Sequence, residues 1–325
     1  MNRQLQYMID ESEDSLTIEA FLRSRGYSHK ILAHLKRTPE GIRRNGEWAR
    51  VTEKLSQGDI VDITVTDPAQ QSPPGMRSGD SAFFHAGFLP VELPVGIVYE
   101  DEDILVISKP PGMSVHPSAG HYDNTAANAA AWHFFKEGLC EKDSVGRCHF
   151  TFHCINRLDR DTSGLLIIAK NLLASAILSA AMKERQIHRT YMAVAEGKTD
   201  HEGIICAPIA RVPGSALMRE VSDQGEYALT RYKRLEYNET ENISLLEIRL
   251  DTGRTHQIRV HMLYAGHPLI GDFLYNPGSR QMQRQALHSC SLEFRHPITG
   301  ADMHFHDPLP SDMKNLFHLR SGLLS

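Results

Sequence analysis

Two aspartates alternate with two arginines in one short segment, directly before a run of apolar residues. Asp159 and Asp161 lie between residues 157 and 161, and the apolar run covers residues 165–169. The run is short, continuous and rich in branched side chains, which predicts a buried β-strand preceded by a loop. A carboxylate near arginines stays ionised and can act as a nucleophile or base if it is fixed beside a cleft. Otherwise the segment is a solvated turn with surface ion pairs, the commoner role of an Asp-rich turn.

A second segment with chemical potential follows a predicted strand over residues 243–250. It reads T-G-R-T-H-Q-I-R-V-H-M from Thr252 to Met262. We expect a tight turn at Gly253 and a helix over residues 254–265 that ends at Gly266. His256 and Arg259 would share one face of that helix, and the amides at its start could hold a phosphate group.

Histidine and cysteine are the other candidates for chemistry. The 18 histidines form only two tight clusters, one at residues 149–154 with Cys154 and one at residues 304–306. Neither cluster has zinc-site spacing, so we predict no metal site. The five cysteines are odd in number, scattered and without a C-x-x-C pair. This favours reduced thiols in the cytoplasm.

Composition describes an ordinary globular protein with an acidic balance. The 325 residues are 41% apolar and 23% charged, with a net charge of −5. Any nucleic-acid surface must therefore be a local patch. Residues 1–14 lack the apolar core of a signal peptide, and no apolar run reaches the length of a membrane span. We expect a cytoplasmic protein with no membrane contact.

Three motifs resemble those of the RluA-type pseudouridine synthases. They are R-L-D-x-x-T-S-G-L-L at residues 157–166, a basic-x-Tyr-x-Ala pattern at 189–193, and G-R-x-H-Q-I-R at 253–259. The resemblance covers residues 91–325, about seven-tenths of the chain. The sequence departs from the family at Asn156, where the family usually has His before R-L-D. Asparagine cannot titrate, so an acid–base role at this position is in doubt.

The resemblance implies a role for each motif residue. Asp159 would be the catalytic residue, paired with Arg259. Tyr191 would stack on the uracil and could take the proton from C5. The resemblance places Arg157 and Arg254 at RNA phosphates and Leu287 in the uracil pocket.

Lys109 and His116, in the block that resembles the family's opening strands, are also tempting catalytic candidates. We interpret them instead as a turn lysine and a loop histidine that shape the wall of the cleft.

The fold implied by the family is α+β, with a mixed, mainly antiparallel central sheet flanked by helices. The implied reaction breaks the N1–C1′ bond of a uridine in structured RNA and rejoins the base through C5. It needs no cofactor. Asp159 would attack C1′ or remove the 2′ proton. Two other classes are a non-catalytic RNA-binding protein and a glycosidase, and the latter needs paired carboxylates.

The N-terminal part has its own character. Residues 1–66 resemble a degenerate S4 RNA-binding module, residues 67–90 form a Pro- and Gly-rich linker, and residues 91–325 form the catalytic domain. Between residues 23 and 54 there are nine Lys or Arg and three Glu, which indicates a local RNA-binding surface or a solvated helical face. We predict that the module tethers the enzyme to RNA rather than bracing the fold. The S4-like module favours ribosomal RNA over transfer RNA as the substrate. We expect a monomer.

Overall fold

The structure, a computed structural model, describes residues 1–67, 87–118 and 120–317. Most of the predicted linker, residues 68–86, lies outside the described residues. None of the described helices is long and apolar enough to cross a membrane.

The N-terminal module is a four-stranded sheet covered by two helices. Ser28 caps the second helix by accepting a hydrogen bond from the Ile31 amide. The strands pair in the order β1-β4-β2-β3. The elements are β1 (Arg3–Met8), α1 (Ile18–Ser24), α2 (His29–Leu35), β2 (Ile42–Arg44), β3 (Glu47–Trp48) and β4 (Ile60–Val65).

A ten-stranded sheet forms the centre of the rest of the chain. Its main path runs β10-β13-β14-β9-β15-β8-β6-β5, with β16 paired to β15 and β7 paired to β8. The strands are β5 (Gly96–Glu100), β6 (Ile104–Lys109), β7 (His153–Cys154), β8 (Ser163–Ala169), β9 (His188–Glu196), β10 (Glu202–Cys206), β13 (Leu229–Asn238), β14 (Ile243–Leu250), β15 (Leu287–Arg295) and β16 (Asp302–His306). A separate hairpin consists of β11 (Ile209–Arg211) and β12 (Arg219–Val221).

Helices flank this sheet. They are α3 (Ala126–Lys136), α4 (Leu172–Lys183), α5 (Gln257–Tyr264) and α6 (Ser311–Asn315). Asn171 caps α4 by accepting a hydrogen bond from the Ala174 amide at 2.9 Å. Strand pairing in the large sheet is antiparallel except between β15 and β8. The expected α+β class with a mixed, mainly antiparallel sheet is confirmed.

Strand β8 is the buried strand predicted from the apolar run, and every one of its residues is buried. It lies between β6 and β15. Gly164 makes the close approach to β15 possible, since it has a φ of +110° and a Cβ there would lie 2.2 Å from the Ser289 carbonyl oxygen. The segment before β8 is a loop at the end of a central strand, and its position is therefore set by the sheet.

The small N-terminal sheet and its helices pack on the part of the chain that contains the ten-stranded sheet. Leu173 of α4 belongs to the module's apolar core, with Ile177 packed against it. Arg3 of β1 binds the buried Asp103 with its Nε 2.9 Å from Oδ1. Asp67 accepts a hydrogen bond from the Thr151 hydroxyl at 2.6 Å. These two parts of the chain thus share apolar and ionic contacts, which is the arrangement that a structural brace requires.

Candidate active site

One cleft collects every residue that the sequence proposed for the site. Its wall is formed by the loop before β8, by β9, and by the segment that leads into α5. It is lined by Arg157, Leu158, Asp159, Thr162, Tyr191, Leu250, Arg254, His256, Gln257, Ile258, Arg259 and Leu287. The six predicted residues come from segments up to 130 positions apart in the sequence, and the sheet brings them together.

An arginine between two aspartates forms the base of the cleft. Arg259 donates from Nη1 to Asp159 Oδ2 at 3.0 Å. The same guanidinium holds Asp272 with two bonds, from Nε at 2.7 Å and from Nη2 at 2.8 Å. The Asp272 side chain is fully buried, that of Arg259 is 3% exposed, and that of Asp159 is 24% exposed. Asp272 therefore fixes the arginine, and Asp159 reaches from it towards solvent.

The charge of Arg259 is secured by these contacts. Burial lowers the pKa of Arg259, but the hydrogen bonds and charges of Asp272 and Asp159 outweigh burial and raise the pKa above its usual value. The sequence assigned no role to Asp272. The available signal was the glycine directly before it, Gly271, which marks a close approach of two backbones because a Cβ there would lie 2.2 Å from the Arg284 carbonyl oxygen.

Tyr191 and Leu287 form the apolar side of the cleft. Both are buried, on the neighbouring strands β9 and β15. Burial raises the pKa of Tyr191, and the Asp159 charge acts in the same direction. The resting state near neutral pH is therefore the uncharged phenol, which suits stacking against a base.

The predicted phosphate contacts differ in their surroundings. Arg157 is exposed. Arg254 is already engaged, since it forms an ion pair with Glu226 and donates from Nε to the Tyr227 carbonyl at 3.1 Å. The predicted helix start is wrong: α5 begins at Gln257, because His256 before it adopts a φ of +58°. The Gln257 side chain accepts the Arg254 amide hydrogen at 3.0 Å, so that amide is not open for a phosphate.

His256 is a cleft residue to which the sequence assigned no role. Its Nε2 lies 3.9 Å from Asp159 Oδ2, and its Nδ1 lies 2.8 Å from the Tyr275 hydroxyl. Burial lowers the pKa of His256, so the ring is neutral near pH 7. The sequence predicted only that it shares a helix face with Arg259, whereas His256 lies one residue before α5.

Asn156 holds the loop that carries Asp159. Asn156 donates from Nδ2 to the Leu165 carbonyl at 3.0 Å and accepts from the Ile167 amide at 2.8 Å. Its side chain thus bonds β8 as a neighbouring backbone would. Because both ends of the side-chain amide are used in these bonds, Asn156 has a structural role that needs no titratable group.

The interpretation of Lys109 as a turn residue of the cleft wall is wrong. Lys109 ends β6, is fully buried, and donates to the carbonyls of Pro110, Met113 and Arg160 at 2.8, 2.9 and 3.0 Å. The bond to Arg160 ties down the loop next to Asp159. His116 lies in a loop, as predicted, and packs edge-on against Phe152.

A metal ion has one candidate group in the described residues, away from the cleft. Ligand atoms of Asp101, Asp103 and His296 lie within 4.8 Å of one another. They are already bonded within the protein: His296 Nε2 lies 2.8 Å from Asp101, and Arg3 binds Asp103. The group fits a structural network.

Comparison with known proteins identifies the class. A family model described as RNA pseudouridylate synthase matches residues 103–264. Uncharacterized RNA pseudouridine synthase YjbO of Bacillus subtilis is 37% identical over 302 residues, which are 93% of this chain and 98% of that protein. The chain belongs to the RluA-type pseudouridine synthases and is an RNA pseudouridine synthase, an isomerase.

Other similarities agree with this family. Ribosomal large subunit pseudouridine synthase D of Zymomonas mobilis is 41% identical over 244 residues, 71% of this chain and 74% of that protein. The solved structure of human RNA pseudouridylate synthase domain containing 1 has a TM-score of 0.54 at 24% identity, with 72% of this chain and 86% of that chain covered. The latter similarity concerns the fold.

Proposed function

We propose that this enzyme converts uridine to pseudouridine in ribosomal RNA and that Asp159 is its catalytic residue. The observation that carries the proposal is the cleft itself. Asp159 is the single carboxylate among the described residues that line it, beside a buried arginine, an uncharged phenol and an apolar side chain. A glycosidase needs two carboxylates about 5–9.5 Å apart across the bond, and the second candidate, Asp161, pairs with Arg160 instead.

Each residue of the cleft would have its own role in the reaction. The target nucleotide must leave its stack to enter the cleft, which costs a few kcal/mol. Tyr191 and Leu287 would bind the two faces of the uracil. Arg259 holds the Asp159 carboxylate ionised and oriented. Asp159 would then attack C1′ or remove the 2′ proton, and the N1–C1′ bond breaks.

The freed base must turn and bond to C1′ through C5. The proton that leaves C5 is replaced at N1, so the reaction is an isomerisation. Arg157 and Arg254 would hold phosphates of the flipped nucleotide and its neighbours. A non-catalytic RNA-binding protein would have no need for a partly exposed carboxylate fixed by a buried cation, which is costly to maintain.

Ribosomal RNA is the substrate class that the relatives favour, because several of them are named ribosomal large subunit pseudouridine synthase D. Such a substrate implies action in the cytoplasm, and a monomer suffices for the site described. The test is to map pseudouridines in total RNA from a strain lacking this protein. A missing modification in ribosomal RNA is expected. Loss confined to transfer RNA would redirect the proposal.

We also propose that residues 1–66 form a module distinct from the catalytic domain of residues 91–325 and brace it. The support is the shared core at Leu173 and the Arg3–Asp103 ion pair. Removal of residues 1–66 should lower the melting temperature while the salt dependence of RNA binding stays unchanged. A shallower salt dependence with an unchanged melting temperature would instead restore the tether that the sequence predicted.

A further inference from the structure

A second, strongly basic pocket adjoins the active-site cleft. The two share Arg157 and Arg254 in their walls. The second pocket adds Arg211 and Arg219 from the hairpin β11–β12. Glu226 is the single carboxylate among its described lining residues. Four guanidinium groups facing one carboxylate leave an excess of positive charge directly beside the site of the flipped nucleotide.

The pocket has a defined shape set by backbone contacts. Gly225 lies against β11 so closely that a Cβ would be 2.4 Å from the Ile209 carbonyl carbon. Glu226 next to it exchanges two backbone hydrogen bonds with Ile209, each 2.9 Å. The backbone amide of Arg219 donates to the Tyr275 hydroxyl at 2.9 Å, and Tyr275 in turn binds His256 of the cleft. Hairpin and cleft are thus joined by direct bonds.

The charges in the pocket are mostly available. Arg211 is exposed. Among the described residues, the Arg219 guanidinium donates to the backbone carbonyls of Leu217 and Met218 and forms no ion pair with a carboxylate. Within the same part of the chain, Arg254 is the one arginine of this pocket with a carboxylate partner, which is Glu226. A carboxylate that occupies an arginine in this way stands where a phosphate oxygen would bind.

We propose that this pocket binds the phosphates of the RNA strand next to the target uridine, and that Glu226 holds Arg254 until RNA displaces it. The proposal rests on the proposed function, because it takes the neighbouring cleft as the site of the target nucleotide. It assigns Arg211 and Arg219 to RNA binding and makes Glu226 a competitor of the RNA for Arg254.

The experiment measures RNA binding without turnover. The full chain carrying Asp159→Asn is titrated with ribosomal RNA from a strain lacking the protein, over a range of salt concentrations. Each phosphate contact on a single strand contributes about 0.7 to the slope of log K against log salt, which is about fivefold in affinity at about 0.1 M salt. We expect Arg211→Ala to reduce the slope and the affinity by about these amounts. The double variant Arg211→Ala/Arg219→Ala should reduce the slope by about twice as much.

Glu226→Gln should act in the opposite direction and raise affinity, which a merely misfolded hairpin would not do. The matched controls are Arg295→Ala and Asp302→Asn, from an exposed ion pair outside both pockets. Slopes for the Arg211 and Arg219 variants equal to that of Arg295→Ala would overturn the phosphate pocket. Weaker binding by Glu226→Gln would overturn the competition.

The proposed function is tested separately. Tritium release by the unmodified enzyme from C5-tritiated uridine in the same RNA reports isomerisation. If that release is absent while the arginine variants still lose affinity, the proposed function fails and the phosphate pocket stands.

Discussion

Replacement of Arg259 separates the stability of the site from its activity. Arg259→Met keeps an apolar stem but removes the cation between two carboxylates. Asp272 is fully buried, whereas Asp159 is 24% exposed, so the stranded charge that matters for folding is Asp272. Loss of one partner of a buried pair costs roughly 3–5 kcal/mol. We expect a decrease of this order in the free energy of unfolding.

A second substitution should restore the free energy of unfolding. Asp272 Oδ1 also accepts the amides of Leu274 and Tyr275, at 3.0 and 3.1 Å. Asp272→Asn removes the buried charge while its carbonyl oxygen can keep those two bonds. The double variant Arg259→Met/Asp272→Asn should therefore recover most of the lost stability, because both members of the pair are gone.

Activity should not recover together with stability. Asp159 has no cation beside it in either variant, so tritium release should stay abolished even where stability returns. Urea denaturation of the three proteins and of the single variant Asp272→Asn gives the complete cycle. A double variant no more stable than Arg259→Met would refute the assignment of the cost to Asp272.

Three further substitutions test the supports of the site. Burial lowers the pKa of Lys109 to about 7, so between pH 7 and the pKa of a free lysine the unfolded chain binds a proton that the folded chain does not. Stability should then rise with pH by up to about 1.4 kcal/mol per unit, and urea titrations of Lys109→Met should lack this rise; parallel curves would contradict it. Asn156→Leu leaves two backbone groups of β8 without partners, at roughly 1–3 kcal/mol each. It should lower both the melting temperature and the turnover, and an unchanged turnover would contradict its role in holding the loop. Gly164→Ala places a methyl group against Ser289 and should cost at least about 2 kcal/mol in urea denaturation, whereas a neutral effect would contradict the close approach of β8 and β15.

Local signals explain how much of the fold the sequence could predict. Strand β8 follows from an unbroken apolar run, and the starts of α2 and α4 follow from Ser28 and Asn171, whose side chains cap the next turn. Such features depend on neighbouring residues. The start of α5 was missed because His256 adopts a left-handed conformation. This conformation is uncommon for residues other than glycine, so there was no reason to expect it here from the sequence.

The sequence predicted those parts of the candidate site that lie within its motifs. The contact between Arg259 and Asp159 joins residues from two recognised motifs. Lys109 lies in a recognised block and Asp272 outside the three motifs, and the partners of both are set by tertiary structure. Lys109 reads as a solvated turn residue because lysine is rarely buried, and only the three carbonyls around its amine show otherwise. The packing of the N-terminal module depends likewise on surfaces distant in sequence.

The most direct test of the account is single-turnover tritium release by Asp159→Asn with C5-tritiated RNA. The account predicts no release, together with RNA affinity close to that of the unmodified enzyme, because phosphate contacts set affinity. Asp161→Asn is the matched control, since Asp161 lies two residues away, pairs with Arg160 and does not line the cleft; it should retain turnover. Measurable tritium release by pure Asp159→Asn would contradict the central claim.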